Sequence, residues 1–336
     1  MELFMLKTPR FWFKKDSVLA LVLSPISKLY EFSGHLIQKK AKPVSVKTPL
    51  ICIGNATLGG GGKTPTAIAV GKILDELNLK YGFLTRGYKG ETKGPFRVNA
   101  LYHTAKQMGD ESLILGKTAI TYVAKDRVKG AQKMDRLGLN AVVLDDGYQN
   151  PKLKKDISLL VVNGMIGFGN EAVFPSGPLR EPIEDAVKKA DAVIIIGDVS
   201  EQISSFIKTV TVPVFFATVQ SFFPKEIDKT TKLLAFCGLA FPKKFFNSLE
   251  DQSFNILKKI PFSDHHLYTE RDISDLREKA RSLGAKLITT EKDYVRLSKT
   301  QKKYVTYVPI ELCWKDKKEV KAFLNKKIKL CQEKIS

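Results

Sequence analysis

Cysteine is scarce in this chain, and what there is lies apart. Cys52, Cys237, Cys313 and Cys331 include no C-x-x-C pair, so neither a disulfide framework nor a zinc site is suggested. Cys52 and Cys237 stand in apolar runs and read as small core residues. Histidine is equally scarce, at four residues, and no grouping of His or Cys has metal-ligand spacing, which excludes a transition-metal site. No apolar run approaches the roughly 20 residues that a membrane-crossing helix needs. The N-terminus lacks the small-residue cleavage site of a signal peptide. No internal repeat or low-complexity tract interrupts the 336 residues, a length that buries a full core and suggests about two domains. Acidic residues are in deficit, 35 against 55 basic ones, for a net charge of +20. That surface favours anionic partners, or is simply a set of solvated lysine-rich helix faces. Interleaved aromatic and basic residues of the RNA-binding kind are absent, as is zinc-finger spacing, so no nucleic-acid partner is expected.

What is present is organised around Leu50 to Ala67, LICIGNATLGGGGKTPTA. Leu50 to Ile53 is long enough for one buried strand. Gly59, Gly60, Gly61 and Gly62 follow, then Lys63 and Thr64, with Pro65 where a helix would begin. Strand, glycine loop, Lys-Thr and helix make the layout of a phosphate-binding loop. Glycines let successive backbone N–H groups turn toward one anion, and the helix start adds the positive end of its dipole. Lys63 would reach the β- and γ-phosphates of a nucleotide, and the Thr64 hydroxyl would bind Mg²⁺. In the general pattern G-x-x-x-x-G-K-[ST] the first position falls on Thr57 rather than glycine. A plain βα turn is the alternative, but it needs one or two glycines, not four.

Apolar strands then alternate with helical stretches: Tyr81 to Thr85, Ala119 to Val123, Ala141 to Leu144, Ile157 to Val162 and Ala192 to Ile196. Near-continuous apolar strands of this kind imply a parallel sheet with helices on both faces, and ligands gather at the carboxyl ends of such strands. The expected fold class is therefore α/β, a P-loop NTPase-like parallel sheet, plus a smaller C-terminal α/β domain. Extended runs at 212–219 and 304–313 are expected to join the two as a two-stranded linker. The expected division is 1–42 (N-terminal helical segment), 43–220 (P-loop core), 221–303 (smaller domain) and 304–336 (return strand and C-terminal helix). The segment 1–42 mixes Phe4, Met5, Leu6, Phe11, Trp12 and Phe13 with lysines and arginine, then continues through an apolar run broken at Pro25. Aromatic, leucine and lysine together suit a helix lying in a membrane interface, with packing on the protein body as the alternative.

Asp145-Asp146 ends an apolar strand downstream of the loop, where a carboxylate pair would hold Mg²⁺ together with Thr64; a simple Asp-Asp-Gly turn is the alternative. Gly109-Asp110-Glu111 precedes a helical run, and its local signal is that of an N-cap. His265 and His266 follow Asp264; either could serve acid–base chemistry or a structural role. Phe174 to Pro182 is a proline-rich loop holding Arg180, whose guanidinium would clamp phosphate.

Taken in order, these motifs resemble the tetraacyldisaccharide 4'-kinase (lipid A 4'-kinase) family. The resemblance rests on the glycine loop with Thr57 at its first position, Gly54-Asn55, Arg86-Gly87-Tyr88, Gly109-Asp110-Glu111, Asp126-Arg127 and Asp145-Asp146-Gly147-Tyr148-Gln149. It continues in Gly177 to Pro182, Phe262 to His266 and Thr289 to Asp293. Asn150 departs from it, standing where the family carries His. The resemblance implies transfer of the γ-phosphoryl of ATP to the 4'-hydroxyl of a lipid A disaccharide precursor, at the cytoplasmic face of the inner membrane, by a peripheral or N-terminally anchored protein. It implies Asp110 as catalytic base assisted by His265, with Lys63 at the phosphates. Thr57, Gly59 to Gly62, Lys63 and Thr64 would hold the nucleotide, and Thr64, Asp145 and Asp146 the Mg²⁺. Arg86, Tyr88, Glu111, Gln149 and Arg180 would face the substrate, an anionic glycolipid on a membrane surface, with no protein partner implied. A P-loop nucleotide switch or assembly ATPase, or a kinase for a soluble acceptor, is the competing expectation.

Overall fold

The computed structural model describes residues 9–59 and 61–333. Gly60, the residues before Pro9 (with Phe4, Met5 and Leu6) and the last three lie outside the described residues.

Eight strands are laid down first: β1 (Leu50–Gly54), β2 (Tyr81–Thr85), β3 (Phe96–Arg97), β4 (Ile120–Val123), β5 (Ala141–Asp145), β6 (Ile157–Asn163), β7 (Ala192–Ile196) and β8 (Val214–Ser221). Next come β9 (Leu233–Cys237), β10 (Ile256–Pro261), β11 (Lys286–Thr290) and β12 (Val305–Val308), which form a sheet of their own in the order β10-β9-β11-β12. β13 (Ile310–Trp314) then returns to the first sheet, whose order among the described residues is β13-β8-β7-β6-β1-β5-β2-β4-β3. The fold is thus α/β, a P-loop NTPase-like, mainly parallel sheet accompanied by a smaller parallel one. β1 lies between β5 and β6, parallel to both.

The helices are α1 (Val18–Lys40), α2 (Lys63–Glu76), α3 (Ala105–Met108), α4 (Asp110–Thr118), α5 (Arg127–Asp135), α6 (Ile183–Lys188), α7 (Glu201–Thr209), α8 (Pro242–Glu250), α9 (Glu270–Ser282), α10 (Glu291–Tyr294) and α11 (Lys317–Glu333). Every residue of β1, β2, β5 and β7 is buried, as expected of parallel strands covered on both faces. The alternation along β1 shows how. Ile51 and Ile53 face Val70, Ile73 and Leu74 of α2, a layer that Leu324 and Ile328 of α11 extend. Leu50 and Cys52 face the opposite layer, with Met134 of α5, Ala186 of α6 and Ile203 of α7.

Two boundaries differ from the sequence reading. The single extended run expected over 304–313 is two strands: β12 pairs in parallel with β11, whereas β13 runs antiparallel to β8. Both pieces are apolar enough for a strand, and only the partners distinguish them; Pro309 lies between. α2 begins at Lys63, two residues before Pro65. The proline still costs no helical hydrogen bond, because N–H groups in the first turn have no intrahelical partner.

Candidate active site

The phosphate-binding loop leaves β1 at Gly54 and enters α2 through Gly62, which caps that helix with φ +81°. A Cβ at Gly62 would stand 2.6 Å from Ile196 Cδ1, the movable end of a side chain, so it is the backbone conformation that requires glycine there. Asn55 is buried beside the loop. Its amide nitrogen donates to Thr57 Oγ1 at 3.3 Å, and its amide oxygen accepts from Lys63 Nζ at 3.2 Å.

β5, the neighbour of β1, ends at Asp145. The Thr64 hydroxyl donates to Asp145 Oδ2 at 2.9 Å. The other carboxylate oxygen is buried without a hydrogen-bond partner among the described residues. Burial, with Glu111 and Asp146 nearby, pushes this carboxyl up to about 7. Asp146 turns out of the strand with φ +55°. Its Oδ1 meets Arg180 NH1 at 3.0 Å and Lys63 Nζ at 3.7 Å. Burial would raise Asp146, but the Lys63 and Arg180 charges outweigh it and hold the group below its ordinary value. Arg127, one residue past the Asp126 cap of α5, donates to the Asp146 carbonyl at 3.3 Å. An orphaned buried carboxylate oxygen beside a hydroxyl and a second carboxylate is a donor set that fits Mg²⁺, which takes oxygen ligands.

Gln149 lies in the turn after β5. Its amide nitrogen donates to the Asn55 carbonyl at 2.9 Å and to Glu181 at 3.2 Å, while its oxygen accepts from Arg180 at 3.2 Å. Arg180 and Glu181 belong to the proline-rich loop, which pairs back onto Thr57 through Leu179. Gln149, Arg180, Asp146 and Lys63 therefore form one connected wall.

A second cluster gathers at α4. Gly109, with φ +82°, occupies the cap position, and Asp110 opens the helix without capping it. Its Oδ2 accepts from His265 Nδ1 at 2.9 Å and from Arg296 Nε and NH2 at 2.9 and 2.5 Å. Asp110 is 3% exposed. Burial pulls its pKa upward, but the His265 hydrogen bond and the Lys292 and Arg296 charges prevail, so the carboxyl stays well below the usual range. Glu111 accepts from Lys292 Nζ at 3.0 Å. Tyr88 is exposed, its ring 5.5 Å from that of His265, and Arg86 is exposed in the same loop. His266 points elsewhere: its Nε2 meets Asp272 at 3.0 Å and its ring stacks on Phe262.

Several of these partners were not singled out by the sequence. Arg296 carried no local signal, because Asp110 lies 186 positions away. Asp293 belonged to a recognised motif and meets Arg296 three residues on, but its contacts with Tyr268 and the Gly238 N–H come from distant segments. Asn55 was legible only as part of the resemblance.

The fold and this loop-to-carboxylate geometry define a P-loop nucleotide-binding protein of the phosphoryl-transfer kind. The profile of the tetraacyldisaccharide-1-P 4'-kinase family matches residues 19–329. The chain belongs to that family. A tetraacyldisaccharide 4'-kinase of Parvibaculum lavamentivorans is 40% identical over 299 residues, covering 87% of both chains. One of Rhodospirillum rubrum is 37% identical over 329 residues, covering 96% of this chain and 98% of its own. The Aquifex aeolicus protein, solved in complex with ATP, superposes with a TM-score of 0.75 at 23% identity over 93% of this chain and all of that one.

Proposed function

We propose that this protein is a kinase that transfers the γ-phosphoryl of ATP to the 4'-hydroxyl of a tetraacyldisaccharide 1-phosphate, in lipid A biosynthesis. Family membership gives the activity; the observation that carries it to these residues is the Thr64–Asp145 hydrogen bond, which joins the phosphate loop to the acidic strand end. Lys63 and the loop N–H groups would bind the β- and γ-phosphates. Thr64, Asp145 and Asp146 would hold Mg²⁺, which when bound neutralises charge on the phosphates.

Lys63 and Arg180 sit on the same carboxylate, Asp146, and so are placed to offset charge developing on the transferring group. The acceptor oxygen forms its bond to the γ-phosphorus as the bond to the bridging oxygen breaks, and ADP leaves. The hydroxyl proton goes to Asp110. His265 and Arg296 occupy Oδ2, while Oδ1 accepts the Glu111 N–H at 2.8 Å and is the oxygen to receive the acceptor. Phosphoryl transfer asks more for positioning than for a strong base, so an ionised Asp110 of low basicity is compatible with this role. Arg86, Tyr88, Glu111 and Gln149 rim the approach as substrate-side residues.

The acceptor is a glycolipid, and α1 supports contact with a membrane surface at the cytoplasmic face of the inner membrane. No helix among the described residues is long and apolar enough to cross a membrane. α1 instead lies against the protein by its small and polar side. Ser27 donates to Ser176 at 2.8 Å, and His35 Nε2 meets Asp185 at 2.8 Å. Its outer side exposes Val18, Val22, Ile26, Leu29, Phe32 and Leu36. Those positions span one helical face, the arrangement of an interfacial helix. A cleft of about 200 Å³ lies between Tyr30, Gly34 and Gln38 of α1 and Gln149, Arg180 and Pro182, and it offers a disaccharide headgroup a place beside Arg180.

Labelled ATP, Mg²⁺ and tetraacyldisaccharide 1-phosphate in detergent test the reading. Mg²⁺-dependent labelling of the lipid is expected, lost in Lys63→Ala and Asp110→Ala. ATP hydrolysis without lipid labelling would overturn the kinase assignment and favour a nucleotide switch.

A further inference from the structure

Arg296 is the most heavily engaged cation near the site. It follows α10, on the four-stranded sheet's side of the molecule, and its side chain is 1% exposed. The two nitrogens facing Asp110 both point at Oδ2, at 2.9 and 2.5 Å. The remaining one, NH1, donates to Asp293 Oδ1 at 2.8 Å and to the Gly238 carbonyl at 3.0 Å. Asp293 is fixed in turn by the Tyr268 hydroxyl at 2.8 Å and the Gly238 N–H at 2.8 Å. One planar guanidinium therefore spans two buried carboxylates, one from each sheet's surroundings, and all three of its nitrogens are engaged.

We propose that Arg296 is a positioning residue for phosphoryl transfer: it holds Asp110 ionised and in one orientation, and so sets the lower pH limit of the reaction. The inference rests on the reading of Asp110 as the group that accepts the hydroxyl proton. The physical case has two parts. A carboxylate buried to this degree would otherwise favour its neutral form. A carboxylate free to rotate would present Oδ1 to the acceptor only part of the time, whereas a two-point grip on Oδ2 fixes which oxygen faces outward. His265 also bonds Oδ2, so the same grip fixes the carboxylate that orients the imidazole.

The groups around Asp110 bound the size of the effect. Lys292 of α10 and His265, in the loop after β10, both favour its charged form. Lys89, in the loop after β2, feels Asp110, Asp264 and Arg296 together. Glu111 stands next to Asp110 on α4, paired with Lys292, and Asp293 lies behind Arg296. Removing Arg296 leaves Lys292, His265 and Lys89 in place, so the carboxyl should rise without becoming neutral at all working pH.

The test uses the full chain with ATP, Mg²⁺ and tetraacyldisaccharide 1-phosphate in detergent, comparing Arg296→Met, Arg296→Lys, Asp110→Asn and the Asp110→Asn/Arg296→Met pair. Arg296→Met should lower kcat by about ten- to a hundredfold and move the acid limb of kcat/KM upward by about one pH unit. ATP affinity, the measure that the nucleotide site is folded, should stay within about twofold. Arg296→Lys keeps the charge but not the fork. Its acid limb should stay in place while kcat falls several-fold, which keeps the test decisive if the methionine variant does not fold. In the Asp110→Asn background, Arg296→Met should cost less than about twofold more, the non-additivity of residues acting through one another. Wild-type rate and pH profile in both Arg296 variants would overturn the proposal. So would a full additional loss in the Asp110→Asn background, which marks a purely structural role. An undiminished rate in Asp110→Asn alone would overturn the role of Asp110 itself, an outcome distinct from either.

Discussion

Thr64 donates its hydroxyl hydrogen to Asp145 Oδ2 at 2.9 Å, tying the first turn of α2 to the last residue of β5. The contact leaves the other carboxylate oxygen buried and unpartnered among the described residues, which is where the demand for a cation arises. Asp145→Asn should therefore raise the Mg²⁺ concentration for half-maximal transfer by about tenfold or more. Titrating Mg²⁺ at saturating ATP measures this. An unchanged midpoint would remove Asp145 from the metal site.

Lys63 contacts Asn55 and approaches Asp146 to 3.7 Å, so its ammonium is held over the loop before nucleotide arrives. Lys63→Ala should lower kcat by roughly a hundredfold or more, the range expected when one charge-stabilising group is removed. Single-turnover transfer from labelled ATP is the measurement. Near-normal turnover would refute the assignment of the loop.

Asp110 sits below its ordinary pKa in the folded chain. A depressed carboxylate stabilises the fold above its unfolded value of about 3.9, and that contribution fades as pH falls through the folded value. Asp110→Asn should thus cost about 2 kcal/mol at pH 7, by removing one of the two carboxylates that Arg296 spans, and progressively less as pH falls below about 4. Urea denaturation at pH 7 and pH 3.5 measures the difference. A cost that is the same at both values would mean that the ion pairing does not carry it.

The outward face of α1 predicts its own phenotype. Val22→Asp and Leu29→Asp change exposed residues, 65% and 68% exposed, and leave the Ser27 and His35 contacts intact. Flotation with anionic phospholipid vesicles should show binding reduced by about tenfold or more in the double variant, while ATP affinity stays unchanged. Equal flotation of variant and parent would discard the interfacial helix.

Much of the fold was legible because its signals are local. Apolar runs such as Ala141 to Leu144 mark buried strands without reference to anything distant, and the glycine loop announces itself through chain conformation alone. Other features depend on who pairs with whom. The stretch 304–313 reads as one strand until β11 and β8 claim its two halves. Asp110 looks like a cap in the sequence because Asp at a helix start usually is one; here Gly109 takes the cap and the carboxylate faces Arg296 instead. The two adjacent histidines differ in their surroundings rather than in their type. β3, two residues long, is too short for any periodicity.

β13 has a further consequence, for the order in which the protein can be built. The strand closes the edge of the nine-stranded sheet, yet it is synthesised only after β9 to β12 have been made. Leu312 of β13 joins Val320, Leu324 and Ile328 of α11 in covering the layer over Ile194 and Phe215. A nascent chain that has reached β8 therefore carries an uncapped edge and an uncovered apolar surface. The smaller sheet, local in its pairings, has the opportunity to fold inside that pause. Completion of the nucleotide-binding half then waits for β13 and α11, which follow the smaller sheet, so a product cut before them would expose the same surface that they bury.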